Sequence, residues 1–350
     1  MNFDLLAYIG RFQPFHIGHR DVIRFALGES ERVAIILGSE GCARNPKNPW
    51  TAPERETMIR SCFSAEENAR LSFIYQRDYP YNHEKWLAEV SEKITSTAME
   101  KWIAGPYRIG IIGLQKDTTS FYLRHFPQFR AVELTPSEVI NATDIRKLYF
   151  DVNPEGIANP AALYAKLPEE IMAYLEVFMN REARIYHEIS DEWKYYEKYR
   201  EDHQFRASVP YEPTHVTTDA VITNAAHVLM VVRKDRPGRG LLALPGGFLQ
   251  KGFTIKQSML NETDEETEIK VPGAVLRGSI RSHRYFDDPG RSLRGRVITH
   301  AFHIALDEPT LPKVKGGSDA SAARWIPLKQ LKRDQLFEDH YDIIETLVGI

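Results

Sequence analysis

The chain has 350 residues, of which 43% are apolar and 27% are charged with both signs mixed, for a formal net charge of −3. At about 150 residues per domain this sets two domains as the starting expectation and leaves a third open, while the apolar share excludes a disordered chain. The near-neutral balance excludes a general nucleic-acid coat and a strongly basic membrane binder, but not a locally basic cleft for a small phosphorylated ligand.

Five short apolar runs open the chain: Leu5–Ile9, Val33–Leu37, Leu71–Tyr75, Ile109–Ile112 and Ala131–Leu134. Runs of this length suit strands covered on both faces. Longer amphipathic stretches separate them. One starts at Thr51-Ala52-Pro53-Glu54, where a Thr cap, an early Pro and a Glu three residues after the cap mark a helix N-terminus. Strand–helix alternation predicts an α/β domain, a doubly wound parallel sheet with ligands at the carboxyl ends of its strands. Helical spacing of Ile171, Tyr174, Leu175 and Phe178 follows, and then a stretch dense in charge and tyrosine, which reads as a solvated connecting helix. The remainder predicts an α+β domain. It has strands at Thr217–Thr223 and His227–Val232 joined through Asn224-Ala225-Ala226, further strands around Val275–Ser282 and Val297–Leu306, and a closing helical segment through Leu328–Val348. These shifts divide the chain at residues 1–182, a helical linker at 183–208, and residues 209–350.

Two cysteines, Cys42 and Cys62, without a CxxC pair exclude a disulfide scaffold and argue against structural zinc. The longest apolar stretches fall far short of the roughly 20 residues that span a bilayer, and the first residues lack a basic n-region. The expectation is a cytoplasmic protein with reduced thiols and no membrane or nucleic-acid partner; self-association stays open.

The first chemical string is Gly10-Arg11-Phe12-Gln13-Pro14-Phe15-His16-Ile17-Gly18-His19, just past the first strand. A helix starting there presents free N–H groups and a partial positive charge, which suit phosphate. Two imidazoles and the Arg11 guanidinium add donors, and Gly18 permits close backbone approach. A second helix start, Asn141-Ala142-Thr143-Asp144-Ile145-Arg146, again carries an arginine in its first turn. The third string is Pro245-Gly246-Gly247-Phe248 followed by a helix with Glu262, Glu265 and Glu266 on one face. Crowded carboxylates repel unless cations sit between them, and hard divalent ions such as Mg²⁺ or Mn²⁺ suit oxygen donors. His300 and His303, three apart on a strand, face opposite sides and make a poor metal pair.

Over residues 3–180 the first two strings resemble the HxGH and (I/V)SxTxxR motifs of the nucleotidyltransferase superfamily, in the form seen in nicotinamide-mononucleotide adenylyltransferases of the archaeal type. Asn48–Arg55 and Gly113-Leu114-Gln115-Lys116-Asp117 fit the same pattern, and Asn141 stands where the motif usually has Ser. The resemblance implies attack of the nicotinamide mononucleotide phosphate on the α-phosphate of ATP, giving NAD and pyrophosphate. It places His16, His19, Arg11 and Arg146 on the phosphates, with Gly10, Phe12, Gln13, Gly18, Gly113, Lys116, Asp117 and Thr143 around the substrates. Asn82 and Trp86 then meet the nicotinamide, although helix packing is the rival role for Trp86. Over residues 210–345 the third string resembles a Nudix box laid on Gly247, with four departures: Phe253 for Glu, Asn261 for Arg, Thr263 for an apolar residue and Glu268 for Gly. The following segments resemble the ADP-ribose pyrophosphatase branch. That resemblance implies Mg²⁺- or Mn²⁺-dependent hydrolysis of ADP-ribose to AMP and ribose 5-phosphate, with Glu262, Glu265 and Glu266 on the metal, Glu265 in catalysis, and Arg281, Arg291 or Arg296 clamping the diphosphate. The rival reading of the departures is a sensor that binds ADP-ribose without cleaving it. Together the halves resemble bifunctional bacterial enzymes that join a nucleotidyltransferase domain to a Nudix domain.

Overall fold

The computed structural model describes residues 1–100, 107–114, 125–135, 140–150, 152–153, 156–157, 160–203 and 213–350. The chain forms two compact units, Met1–Trp193 and Lys194–Ile350.

In the first unit, strands β1 (Phe3–Gly10), β2 (Ser30–Leu37), β3 (Leu71–Tyr75), β4 (Ile109–Leu114) and β5 (Arg130–Leu134) pair in parallel, in the order β3-β2-β1-β4-β5. The predicted runs are these strands. Leu5, Leu6, Ala7, Val33, Ala34, Ile35 and Ile36 are all fully buried, because helices cover both faces and alternate side chains feed two separate cores. Reversal of strand order at β1 puts the ends of β1 and β4 at the switch point, where open α/β sheets bind ligands.

Helix α1 (Ile17–Glu29) leaves that point directly after β1. Helix α2 (Ala52–Ser61) opens with the predicted box: Glu54 Oε2 accepts from Thr51 N–H at 2.7 Å, and Glu54 N–H donates to Thr51 Oγ1 at 3.5 Å. Helices α3 (Ala65–Ala69), α4 (His83–Met99), α5 (Ala142–Phe150), α6 (Pro160–Tyr164) and α7 (Glu169–Arg181) complete the layers, with a short β6 (Val152–Asn153) and β7 (Gly156–Ile157) hairpin between α5 and α6. The charged stretch is helix α8 (Ala183–His203), and the two units divide inside it. Tyr186, Ile189 and Trp193 fall at helical spacing and bury in the first unit's core, which holds that part of the helix to it.

The second unit is a seven-stranded mixed sheet. It comprises β8 (Thr214–Asn224), β9 (His227–Arg233), β10 (Leu242–Ala243), β11 (Gly246–Phe248), β12 (Ile280–Phe286), β13 (Arg296–Ala305) and β14 (Ala320–Pro327). Its helices are α9 (Ile255–Thr267), α10 (Gly273–Gly278) and α11 (His340–Val348). Two readings are corrected here, and one strand is added. Val275 and Leu276 lie in α10, not a strand; Pro272 starts that helix, Leu276 turns inward and Val275 stays 41% exposed. The closing segment is helical only from His340, after two 3₁₀ turns at Leu328–Gln330 and Arg333–Gln335. Strand β14 was not foreseen, because polar and small residues hide its period. Among the described residues no helix is long and apolar enough to cross a membrane.

Candidate functional site

In the first unit, β1 ends at Gly10 and the chain turns through Phe12, whose φ is +51°. That turn folds the Phe12 ring back over Gly10, where a Cβ would lie 2.8 Å from the ring. The ring then meets His19 edge-on at 4.9 Å, and Phe15 stacks on His19 at 5.7 Å. His16 is the residue preceding α1, Gly18 lies in the first turn, and His19 follows it. The two imidazoles stack with centroids 3.5 Å apart, and His16 N–H donates to His19 Nδ1 at 3.3 Å. An accepting Nδ1 leaves the neutral ring's proton on Nε2. The histidines are not equivalent: His16 is 1% exposed behind its partner, whereas His19 is half-buried.

Arg146 is 3% exposed on α5. Its Nη1 donates to the Gln13 carbonyl at 2.6 Å, Nε to the Pro46 carbonyl at 2.9 Å and Nη2 to Thr143 Oγ1 at 3.0 Å. A guanidinium has five N–H groups, so two remain for a ligand. Burial and then the nearby Arg11 push its pKa down to about 10. Arg11 reaches the surface, yet the protein packed around its guanidinium lowers its pKa, while Asp78 and Cys42 pull it upward. A buried arginine whose charge is disfavoured by burial and by a second arginine makes a site that gains when a polyanion enters.

Gln13 is committed differently from the substrate contact that the sequence suggested. It is buried, its Nε2 donates to the Trp50 carbonyl at 2.8 Å and its Oε1 accepts from Trp50 N–H at 3.1 Å, so it brackets the loop before α2. Asn141 Oδ1 accepts from Thr143 N–H at 2.9 Å and caps α5 as a serine would. Asn82 is exposed and caps α4, with Oδ1 accepting from Lys85 N–H at 3.0 Å. Trp86 is half-buried and packs beside Phe126 with centroids 6.0 Å apart. Gly113 is buried near the end of β4. Lys116 and Asp117 lie outside the described residues.

In the second unit, Gly247 on β11 faces Glu262 on α9 so closely that a Cβ would stand 2.8 Å from the carboxylate. Glu262 Oε1 accepts from Gln250 Nε2 at 2.8 Å, Glu265 Oε1 from Asn261 Nδ2 at 2.8 Å, and Glu266 Oε2 from Gly246 N–H at 2.9 Å. Burial, then Glu265, Asp319 and Asp219, raise the Glu262 pKa against the Gln250 bond. Burial pushes Glu266 up to about 8, with Glu262 and Asp219 adding to it while the Gly246 amide and Arg233 oppose. Carboxylates that resist ionisation while facing one another gain from an added cation. The donor chemistry therefore fits a hard divalent ion, although among the described residues no three His, Cys, Asp or Glu side chains are gathered as a ready cage.

The structure accounts for three of the four departures. Asn261, in the arginine's place, holds Glu265 and also donates to Gln250 Oε1 at 3.2 Å. Thr263 is buried, and its hydroxyl donates to the Met259 carbonyl at 2.8 Å, so it fills an apolar slot without an orphaned donor. Glu268 takes the left-handed φ of 40° that a glycine would adopt freely. Phe253 is 43% exposed.

The three clamp arginines differ. Arg281 is exposed on β12, and Arg296 donates to the Asp287 carbonyl at 2.5 Å. Arg291 is not free to clamp a diphosphate: it is buried and paired through Nε and Nη2 with both Asp339 oxygens at 2.9 and 2.8 Å. Burial alone would lower its pKa, but Asp339 outweighs it and raises it. Sequence reasoning missed Asp219, a buried acid on β8, which accepts from Thr299 Oγ1. It also missed Arg233, whose field opposes protonation of Glu266. An acid interrupting the run at Ala220–Ile222 was the available signal.

The family model described as Cytidylyltransferase-like matches residues 7–147, and that described as NUDIX domain matches residues 213–347. The chain is 36% identical over 193 residues to a nicotinamide/nicotinic acid mononucleotide adenylyltransferase of Acinetobacter baylyi, covering 55% of this chain and 94% of that one. It is 32% identical over 130 residues to an ADP-ribose pyrophosphatase of Methanocaldococcus jannaschii, covering 37% and 70%. A solved bifunctional NMN adenylyltransferase/ADP ribose pyrophosphatase of Francisella tularensis, complexed with AMP and a manganese ion, is similar over 99% of both chains, with 31% identity and a TM-score of 0.85.

Proposed function

We infer the activities of this chain from its membership of the bifunctional nicotinamide-mononucleotide adenylyltransferase/ADP-ribose pyrophosphatase family, to which it belongs. The first unit transfers the AMP moiety of ATP to nicotinamide mononucleotide. A phosphate oxygen of the mononucleotide attacks the α-phosphorus of ATP, the bond to the β-phosphate oxygen breaks, and NAD and pyrophosphate form. The second unit hydrolyses ADP-ribose: water adds to a diphosphate phosphorus, the P–O–P bond breaks, and AMP and ribose 5-phosphate leave.

Arg146 carries the first assignment: it is buried, bonded to the Gln13 carbonyl of the string that leads into α1, and keeps two N–H groups for an anion. Phosphoryl transfer needs positioning and charge neutralisation more than covalent help. Arg146 offers its two remaining donors to the departing pyrophosphate, and Arg11 covers the outer side. His19 donates from Nε2 to the transferring phosphoryl group, and His16 carries the His19 ring. Gly10, Phe12 and Gln13 shape that cradle and Thr143 orients Arg146. Asn82, Trp86, Gly113, Lys116 and Asp117 belong to the mononucleotide and adenine ends.

In the second unit Glu262, Glu265 and Glu266 would hold Mg²⁺ or Mn²⁺, with Asp219 close by. A divalent ion there supplies Lewis acidity and an acidified water. The carboxylates draw it in, and Asn261 and Gln250 hold two of them in position. Arg281 and Arg296 remain on the diphosphate side; Arg291 is a structural ion pair. Incubating the intact chain with Mg²⁺, ATP and nicotinamide mononucleotide yields NAD, and with Mg²⁺ and ADP-ribose yields AMP. A different dinucleotide, or ADP-ribose bound without AMP release, would refute the respective assignment.

A further inference from the structure

We propose that Arg55 is a positioning residue of the transferase site, acting through Arg11. Arg55 lies on α2 and is fully buried, a rare state for arginine. Its Nη1 donates to the Arg11 carbonyl at 2.6 Å and to the Gly38 carbonyl at 2.7 Å. Its Nε donates to the Thr51 carbonyl at 3.2 Å, and its buried Nη2 has no hydrogen-bond acceptor.

Arg11 follows β1 and Gly38 follows β2, so one guanidinium ties together the chain just beyond the ends of two neighbouring strands, of which β1 borders the switch point. Gly38 N–H donates to the Gly10 carbonyl at 2.9 Å and closes the same junction from the backbone. The arrangement is not one that stability alone favours. Burial disfavours the Arg55 charge, with Cys42, Glu40 and Asp78 supporting it and Arg11 opposing it, and an N–H left without an acceptor in the interior is costly. A neutral residue would fill the space without either penalty. Arg55 instead fixes the Arg11 backbone and adds a permanent positive charge behind the side chain that meets phosphate. No substrate touches it, because it is sealed from solvent.

The proposal rests on the reading of Arg11 as a phosphate ligand, and the experiment separates the two. Full-length Arg55→Lys and Arg55→Met are made with and without Arg11→Ala. NAD formation is followed over a range of ATP concentrations, with melting curves for folding and AMP release from ADP-ribose as a concentration standard. In the parent background each Arg55 substitution lowers kcat/KM for ATP by roughly tenfold or more, the scale of coupling within one hydrogen-bond network. In the Arg11→Ala background the same substitution changes it by less than about twofold, because the residue it positions is gone. Equal losses in both backgrounds, or no loss at all, would overturn the proposal. If Arg55→Met fails to fold, Arg55→Lys, which keeps the charge but not the fork, decides alone. If Arg11→Ala synthesises NAD at the parent rate, the reading of the phosphate site itself fails.

Discussion

Gly247→Ala separates the two activities of one chain. Ideal placement of a Cβ at Gly247 puts it 2.8 Å from Cδ and Oε2 of Glu262 and 3.0 Å from Oε1. Non-bonded heavy atoms settle at about 3.5–4.0 Å, so the carboxylate must retreat by at least about 0.7 Å. The backbone at Gly247 is ordinary strand paired with Thr218, and alanine fits it. The displaced group is the end of a flexible side chain, so the stability cost lies at or below the lower end of the roughly 1–3 kcal/mol range for overpacking. Retreat also weakens the 2.8 Å bond from Gln250 and changes the spacing of the three glutamates. A misplacement of about 1 Å at a reacting centre costs up to roughly 10²-fold. AMP release from ADP-ribose should therefore fall between about tenfold and a hundredfold. NAD synthesis in the same sample should stay at the parent rate. An AMP release rate unchanged in Gly247→Ala would remove Glu262 from the hydrolytic site.

Other substitutions test the local physics. Glu268→Gly relieves a left-handed backbone that costs a non-glycine residue about 1–2 kcal/mol, while the ion pairs it loses are exposed and weak, so the second unit's melting temperature should rise. Arg291→Met leaves Asp339 buried without its partner and should destabilise the second unit by about 3–5 kcal/mol in denaturant titrations. Glu266 carries a folded-state pKa of about 8 against an ordinary 4.5, so the stability it contributes is complete below the lower value and is lost as pH rises through the higher one. In metal-free protein, stability should fall between these values by up to about 1.4 kcal/mol per pH unit, and Glu266→Gln should remove that slope.

What the sequence could reveal depended on how local the cause was. The central parallel strands are legible because burial on both faces leaves unbroken apolar runs such as Val33–Leu37, whereas the edge strand β5, with no buried residue, is legible only as a short run around Val132. Thr51 and Glu54 declare their helix start within four residues. The segment after Pro272 misleads because Val275 and Leu276 read alike as letters, and only the packing of Leu276 decides between strand and helix. Among site residues, the type is visible but the partner is not. Arg291 resembles a phosphate clamp until Asp339, 48 residues later, pairs with its Nε and Nη2 in the interior. Gln13 resembles a ligand contact until Trp50 engages both ends of its amide. His16 and His19 look equivalent in a motif, yet helix geometry hides one behind the other.

The most direct measurement is the turnover of full-length His19→Ala in NAD synthesis, with AMP release from ADP-ribose read in parallel. Removing one preorganised donor from a transferring phosphoryl group should cut kcat for NAD formation by about 10²–10³-fold while AMP release stays at the parent rate. NAD formation at the parent rate by that variant would contradict the placement of phosphate chemistry at the start of α1.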